Sequence, residues 1–122
     1  MATNFVQDGN VIDYSNSGSA ISSGDLVVMG ETLGVALVDI AATTGTGAVA
    51  VTGVYNFAKV SAAVIAQGES LTWDVSAGAF DDNAATPATG DVTGAACFAA
   101  EAAGNGVTTI AVKLTGTPGT VA

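Results

Sequence analysis

Thr109-Ile110-Ala111-Val112-Lys113-Leu114 alternates without a break, placing Ile110, Val112 and Leu114 on one side of an extended chain and Thr109, Ala111 and Lys113 on the other. A period of two is the signature of a half-buried strand. Leu71-Thr72-Trp73-Asp74-Val75 repeats the pattern, with Leu71, Trp73 and Val75 as the expected buried side. Outward from these two segments, apolar runs at residues 11–14, 26–29, 34–39, 48–55 and 94–99, most of them bearing valine, are separated by Gly, Asp, Asn and Ser. Those residues favour turns because glycine reaches positive φ and short polar side chains bond their own backbone. Short strands at this spacing predict an all-β fold, a small barrel or sandwich.

Two segments compete as helices. Residues 59–67 are expected to hold a short helical turn that stops at Gly68. Residues 95–103 are rich in alanine, the best helix former, but Gly94 and the Gly104-Asn105-Gly106 turn favour a strand and hairpin there.

A weak internal repeat supports the all-β reading. Residues 20–27, Ala-Ile-Ser-Ser-Gly-Asp-Leu-Val, can be laid over residues 64–71, Val-Ile-Ala-Gln-Gly-Glu-Ser-Leu. Each unit sets a glycine and an acid just before a strand, so the acid is placed to bond local backbone donors. Further along, residues 34–36, 45–47 and 49–51 are matched with 94–96, 104–106 and 108–110, which leaves an insertion around residues 80–90, expected to be an exposed loop.

The chain has 122 residues, expected to form one domain. Hydrophobic residues make up 49% but aromatics only 6%, so the core must be assembled from small side chains. Eleven acids, two lysines and no histidine give a net charge of −9, which excludes several functions. Lys59 and Lys113 alone cannot neutralise a row of phosphates, so nucleic acid is not an expected partner. The same shortage argues against an anionic membrane surface. Disorder is not expected either, because mean hydropathy is +0.53. The start of the chain shows no cationic and apolar signal pattern, so synthesis is expected in the cytoplasm.

Without histidine, neither a Ser-His-Asp nor a Cys-His arrangement can form, and one cysteine cannot build a zinc site. Cys97, among Ala95, Ala96, Phe98 and Ala99, reads as a small buried apolar residue. Gly45-Thr46-Gly47 is followed by a glycine only at Gly53, too late for a dinucleotide fingerprint, and no lysine follows a glycine as a phosphate loop requires. Asp8, Asn10 and Asp13, and Asp81, Asp82 and Asn83, offer oxygens but lack the ligand spacing of a calcium loop. No catalytic, cofactor-binding or metal-binding residues are expected.

Taken in order, Asn4-Phe5-Val6-Gln7-Asp8-Gly9-Asn10-Val11-Ile12-Asp13-Tyr14, then residues 21–28, Leu33-Gly34-Val35-Ala36, residues 46–55 and residues 65–74 resemble the tailed-phage capsid cement or head decoration proteins, in their small, acidic, Ala/Gly/Val-rich branch. The Ile-x-x-Gly-acid units also resemble the turns of β-clip folds. The resemblance implies a β domain over residues 11–115, an extended N-terminal arm over 1–10 and a tail over 116–122. It further implies a non-enzymatic virion protein on the outer capsid surface, self-assembled as a homotrimer or a dimer, with the major capsid protein as partner. The arm residues Asn4, Phe5, Val6, Gln7, Asp8 and Gly9 are the expected contact, since Phe5 and Val6 have little to bury locally. The rival readings are a tail- or fibre-associated domain and a ligand-binding β-barrel or enzyme. A recombinase label sometimes given to such proteins finds no phosphate loop here.

Overall fold

The computed structural model describes residues 3–4 and 9–122, and among them the regular elements are all strands. The first four are β1 (Val11–Ser15), β2 (Leu26–Met29), β3 (Thr32–Ala36) and β4 (Thr46–Ala50). They form one antiparallel sheet in the order β1-β4-β3-β2. Next come β5 (Thr52–Ala58), β6 (Thr72–Asp74), β7 (Ala79–Asp81) and β8 (Val92–Thr93), followed by β9 (Cys97–Ala99), β10 (Thr109–Thr115) and β11 (Thr120–Val121). These build two further antiparallel sheets, β5-β10-β9 and β11-β8-β6-β7.

The chain is one unit built twice. In the first copy the Gly24 N–H donates to the Ala36 carbonyl at 2.7 Å and the Ala36 N–H returns to Asp25 at 2.9 Å. In the second, Gly68 donates to Ala99 at 2.8 Å and Ala99 returns to Glu69 at 2.9 Å. Ile21 exchanges both backbone bonds with Ile40, and Ile65 does so with Ala103. The acid side chain repeats its part: Asp25 Oδ2 accepts from Ser22 N–H at 3.0 Å and Glu69 Oε1 from Ala66 N–H at 3.1 Å. Gly24 and Gly68 hold φ of 92° and 84°, a conformation that side chains with a Cβ rarely adopt.

Ile21 to Ile65 and Gly24 to Gly68 are each 44 residues apart, whereas Ala36 to Ala99 and Ile40 to Ala103 are each 63 apart. Strand pairing keeps the same shift: Val35 opposite Ala50 becomes Phe98 opposite Lys113, and Ala36 opposite Val49 becomes Ala99 opposite Val112. The first strand is displaced by 43, since Ile12 faces Val49 and Tyr55 faces Val112. The second copy therefore carries 19 extra residues, the difference between 63 and 44. They stand where the first copy has only the tight β2–β3 turn at Gly30 and Glu31, after β6, the counterpart of β2, and they contain β7 and β8. The early block of the expected repeat is thus correct, but its continuation is displaced. Residues 34–36 correspond to 97–99, not 94–96, because β-register is set by cross-strand burial and not by matching glycines.

The cores follow the duplication. A smaller cluster of Val27, Ala36, Ile40 and Val49, with Tyr14, Ile21 and Met29 packed on it, lies on one face of the first sheet. Its seven positions become Leu71, Ala99, Ala103, Val112, Phe57, Ile65 and Trp73, all in the larger cluster. The other face of the first sheet supplies Leu33, Val35 and Ala50 to that same larger cluster, so the two copies are joined through it. At its centre lies Phe80, fully buried, with ring centroids 5.6 Å from Phe57 and 4.9 Å from Trp73.

Buried polar side chains pin the matching loops. Asn16 Nδ2 donates to the carbonyls of Ser19 and Ala41, while its Oδ1 accepts from Gly18 N–H. Lys59, 43 residues on, donates from Nζ to Val60 at 2.9 Å, Ser61 at 3.3 Å, Gly104 at 3.1 Å and Val107 at 3.1 Å. Ala41 and Gly104 are equivalent at the 63-residue shift, so two different side chains close the same gap. Each buried side chain thereby finds hydrogen-bond partners in the loop it closes.

Several expectations are corrected. Residues 59–67 contain no helix: Lys59 and Ile65 make single bridge pairings, and Gly68 serves a turn, not a helix end. The strand favoured within residues 95–103 is present, as β9 with a bridge at Ala103, where they face β10 and Ile65. Residues 48–55 divide at Val51 into β4 and β5, the junction between the copies. Val75 is 49% exposed and belongs to a turn, so the buried side of that segment ends at Trp73. Phe80 is core and not loop, although residues 82–90 form no strand. The segment 116–122 is tied down by β11 and by Gly119 N–H donating to the Glu31 carbonyl at 2.8 Å.

Phe80→Ala is expected to lower unfolding stability by roughly 3–5 kcal/mol, the usual range for a large aromatic removed from a close-packed core. Chemical denaturation checks this, with Val64→Ala, at 65% exposure, expected to change little.

Candidate functional site

Of the residues expected to grip a partner, Asn4 and Gly9 are exposed, while Phe5, Val6, Gln7 and Asp8 lie outside the described residues. The arm leads into β1, which forms one edge of its sheet.

Most of the described acids accept backbone hydrogen bonds. Besides Asp25 and Glu69, Asp91 is buried and accepts from Val75 N–H at 3.1 Å and Ala88 N–H at 2.9 Å. Asp82 accepts from Ala84 N–H at 3.0 Å, and Asp81 from the neighbouring Asp82 N–H at 2.8 Å. Glu69 uses its second oxygen on Asn83 N–H at 3.0 Å, fastening the insertion to the turn. Bonds from Ser76 Oγ and then Ala77 N–H hold the Asp74 carboxyl below the usual carboxylate range. That contribution is present above the ordinary carboxylate pKa and lost as pH falls through the lowered one. Among the described residues, no group of three or more His, Cys, Asp or Glu side chains could hold a metal ion.

A cleft of about 400 Å³ is lined by Gly24, Asp25, Leu26, Asn56, Phe57, Ala58, Trp73 and Gly78. Its sole carboxylate, Asp25, is already bonded to its own turn. Burial pushes the Cys97 thiol up to about 12 and keeps it protonated. No helix among the described residues is long and apolar enough to cross a membrane.

What the fold does present is a sheet face. On the side of β5-β10-β9 away from the core, Lys113 stands opposite Val54 on one strand and opposite Phe98 on the other. Val54 is 55% exposed and Phe98 37%. Sequence reading missed this row, because alternation tells which residues share a strand side but not which strands lie together.

An all-β framework with most of its described carboxylates bonded to backbone, and with an exposed sheet face at Val54, Lys113 and Phe98, fits a structural module. The family model of phage cement protein matches residues 6–114, and the chain belongs to that family, a structural one associated with the phage capsid. No curated protein matches the chain.

Two outcomes test the chemistry of the interior. Lys59→Met leaves four loop carbonyls without their donor and should destabilise by about 1–3 kcal/mol, read by denaturant titration. Cys97 should not react with a thiol reagent at pH 8 until the protein is denatured, and native stability should decline as pH rises above the ordinary thiol pKa toward about 12.

Proposed function

We propose that this protein binds the outer surface of a phage capsid and reinforces it without catalysis. It contacts the major capsid protein through the arm Asn4, Phe5, Val6, Gln7, Asp8 and Gly9, and it assembles as a homotrimer, with a dimer as the alternative. In this reading, residues 11–115 act as one folded unit, made in the host cytoplasm before it joins the virion. The observation that carries the reading is the phage cement family match across residues 6–114.

The physical chemistry is compatible with that role. A ligand that binds an assembled shell but not its disrupted form stabilises the shell by its binding free energy, multiplied over many copies. A net charge of −9 keeps such a protein from competing for the packaged nucleic acid. Phe5 on the arm is the natural anchor, because aromatic residues concentrate binding energy at interfaces.

Deleting residues 2–9 should leave the far-ultraviolet circular dichroism unchanged, lower occupancy on undecorated capsids and lower the temperature at which those capsids open. A truncated chain that binds and protects as well as the full one contradicts the arm's role. A full chain that binds no capsid of its own phage contradicts the whole reading.

A further inference from the structure

The duplication supplies a comparison that a single-copy fold cannot. In the second copy, Val54, Lys113 and Phe98 form a cross-strand row turned away from the core. In the first copy the same three positions are Val11, Ala50 and Val35, again directly opposite one another. There Ala50 and Val35 are each only 4% exposed, because this face packs into the larger cluster beside Phe57, Phe80 and Leu114 of the second copy. The face that joins the two copies inside one chain is therefore, in the second copy, open to solvent.

The geometry points to this open face as the docking surface for a second copy of the chain, in a head-to-tail contact that sets it against the exposed acids of that copy's first half. This deepens the self-association in the proposed function and rests on that part of it. Charge agrees with the choice of partner. Lys59 is enclosed by carbonyls, so of the two lysines only Lys113 can meet a neighbour's acids. It stands where the first copy has Ala50. The first copy of an incoming chain brings Asp13, Asp25, Glu31 and Asp39, all exposed, in a molecule of net charge −9. Val54 and Phe98 supply the apolar contact on either side of the cation. A head-to-tail contact of this kind closes into a ring when its rotation divides the circle.

Sedimentation velocity of the full chain and its variants tests the proposal. The parent should sediment at micromolar concentration as one closed oligomer. Phe98→Asp and Lys113→Glu should each sediment as monomers with unchanged circular dichroism, and Val64→Asp, off this face, should remain oligomeric. Lys113→Glu reads the face independently if Phe98→Asp misfolds. Carbodiimide coupling of mixed light and heavy-isotope chains adds the orientation. It joins the Lys113 amine to a carboxyl as an amide, with the water taken up as urea. Mass spectrometry should find that amide between different chains, on a first-copy acid. A monomeric parent, variants that stay oligomeric, or an inter-chain amide confined to second-copy acids would each overturn the proposal. Capsid binding is scored separately: a monomer that still binds capsids overturns the docking face alone, and an oligomer that binds none overturns the capsid reading alone.

Discussion

Each copy of the unit is closed by a short circuit of main-chain hydrogen bonds between the Ile-x-x-Gly-acid turn and the strand segment that follows it. Gly24 and Asp25 clasp Ala36, and Gly68 and Glu69 clasp Ala99, while Ile21–Ile40 and Ile65–Ala103 complete the circuit. A single bond of this type contributes only about 1 kcal/mol net, so the circuit does not supply the bulk of the stability. Its effect is geometric. It fixes the register, and with the register it decides that Val27 and Val49, or Leu71 and Val112, face the same core.

Within that shared frame the copies diverge in three ways. Residues of the first copy are replaced by larger ones in the second: Gly34 by Cys97, Gly47 by Ile110, Met29 by Trp73. The first sheet admits no such filling, since a Cβ on Gly34 would run into Val49 Cγ1 and come within 3.0 Å of the Ala50 carbonyl. The insertion replaces a tight turn with β7 and β8, and delivers Phe80 into the larger core. The outer face exchanges a buried Ala50 for the half-buried Lys113, whose Nζ donates to the Leu114 carbonyl at 3.2 Å. Divergence on the inside makes the second core larger; divergence on the outside creates a surface available to a neighbour.

Much of this was legible in the sequence. Period-two alternation located β10, whose inner side chains Ile110, Val112 and Leu114 are all buried, and the Gly-acid turns were correctly paired. Legibility ended where information became non-local. The continuation of the repeat slipped because the equivalence of Ala36 with Ala99 depends on strand pairing across a 19-residue insertion, not on adjacent residues. Phe80 looked like part of a polar loop, since its neighbours Asp81, Asp82 and Asn83 are polar while its burial depends on the distant Phe57 and Trp73. Of the expected contact residues, Asn4 and Gly9 are exposed, and the row Val54, Lys113 and Phe98 emerged only from the sheet order.

The central claim is that this duplicated β fold serves by contact on a phage shell. A cryo-electron microscopy reconstruction of the phage particle tests it most directly. The account predicts density for this chain on the outside of the capsid, with residues 4–9 against the major capsid protein and the Val54–Phe98 face against another copy. A shell that lacks the chain, or a chain found only on the tail or fibres, would contradict it.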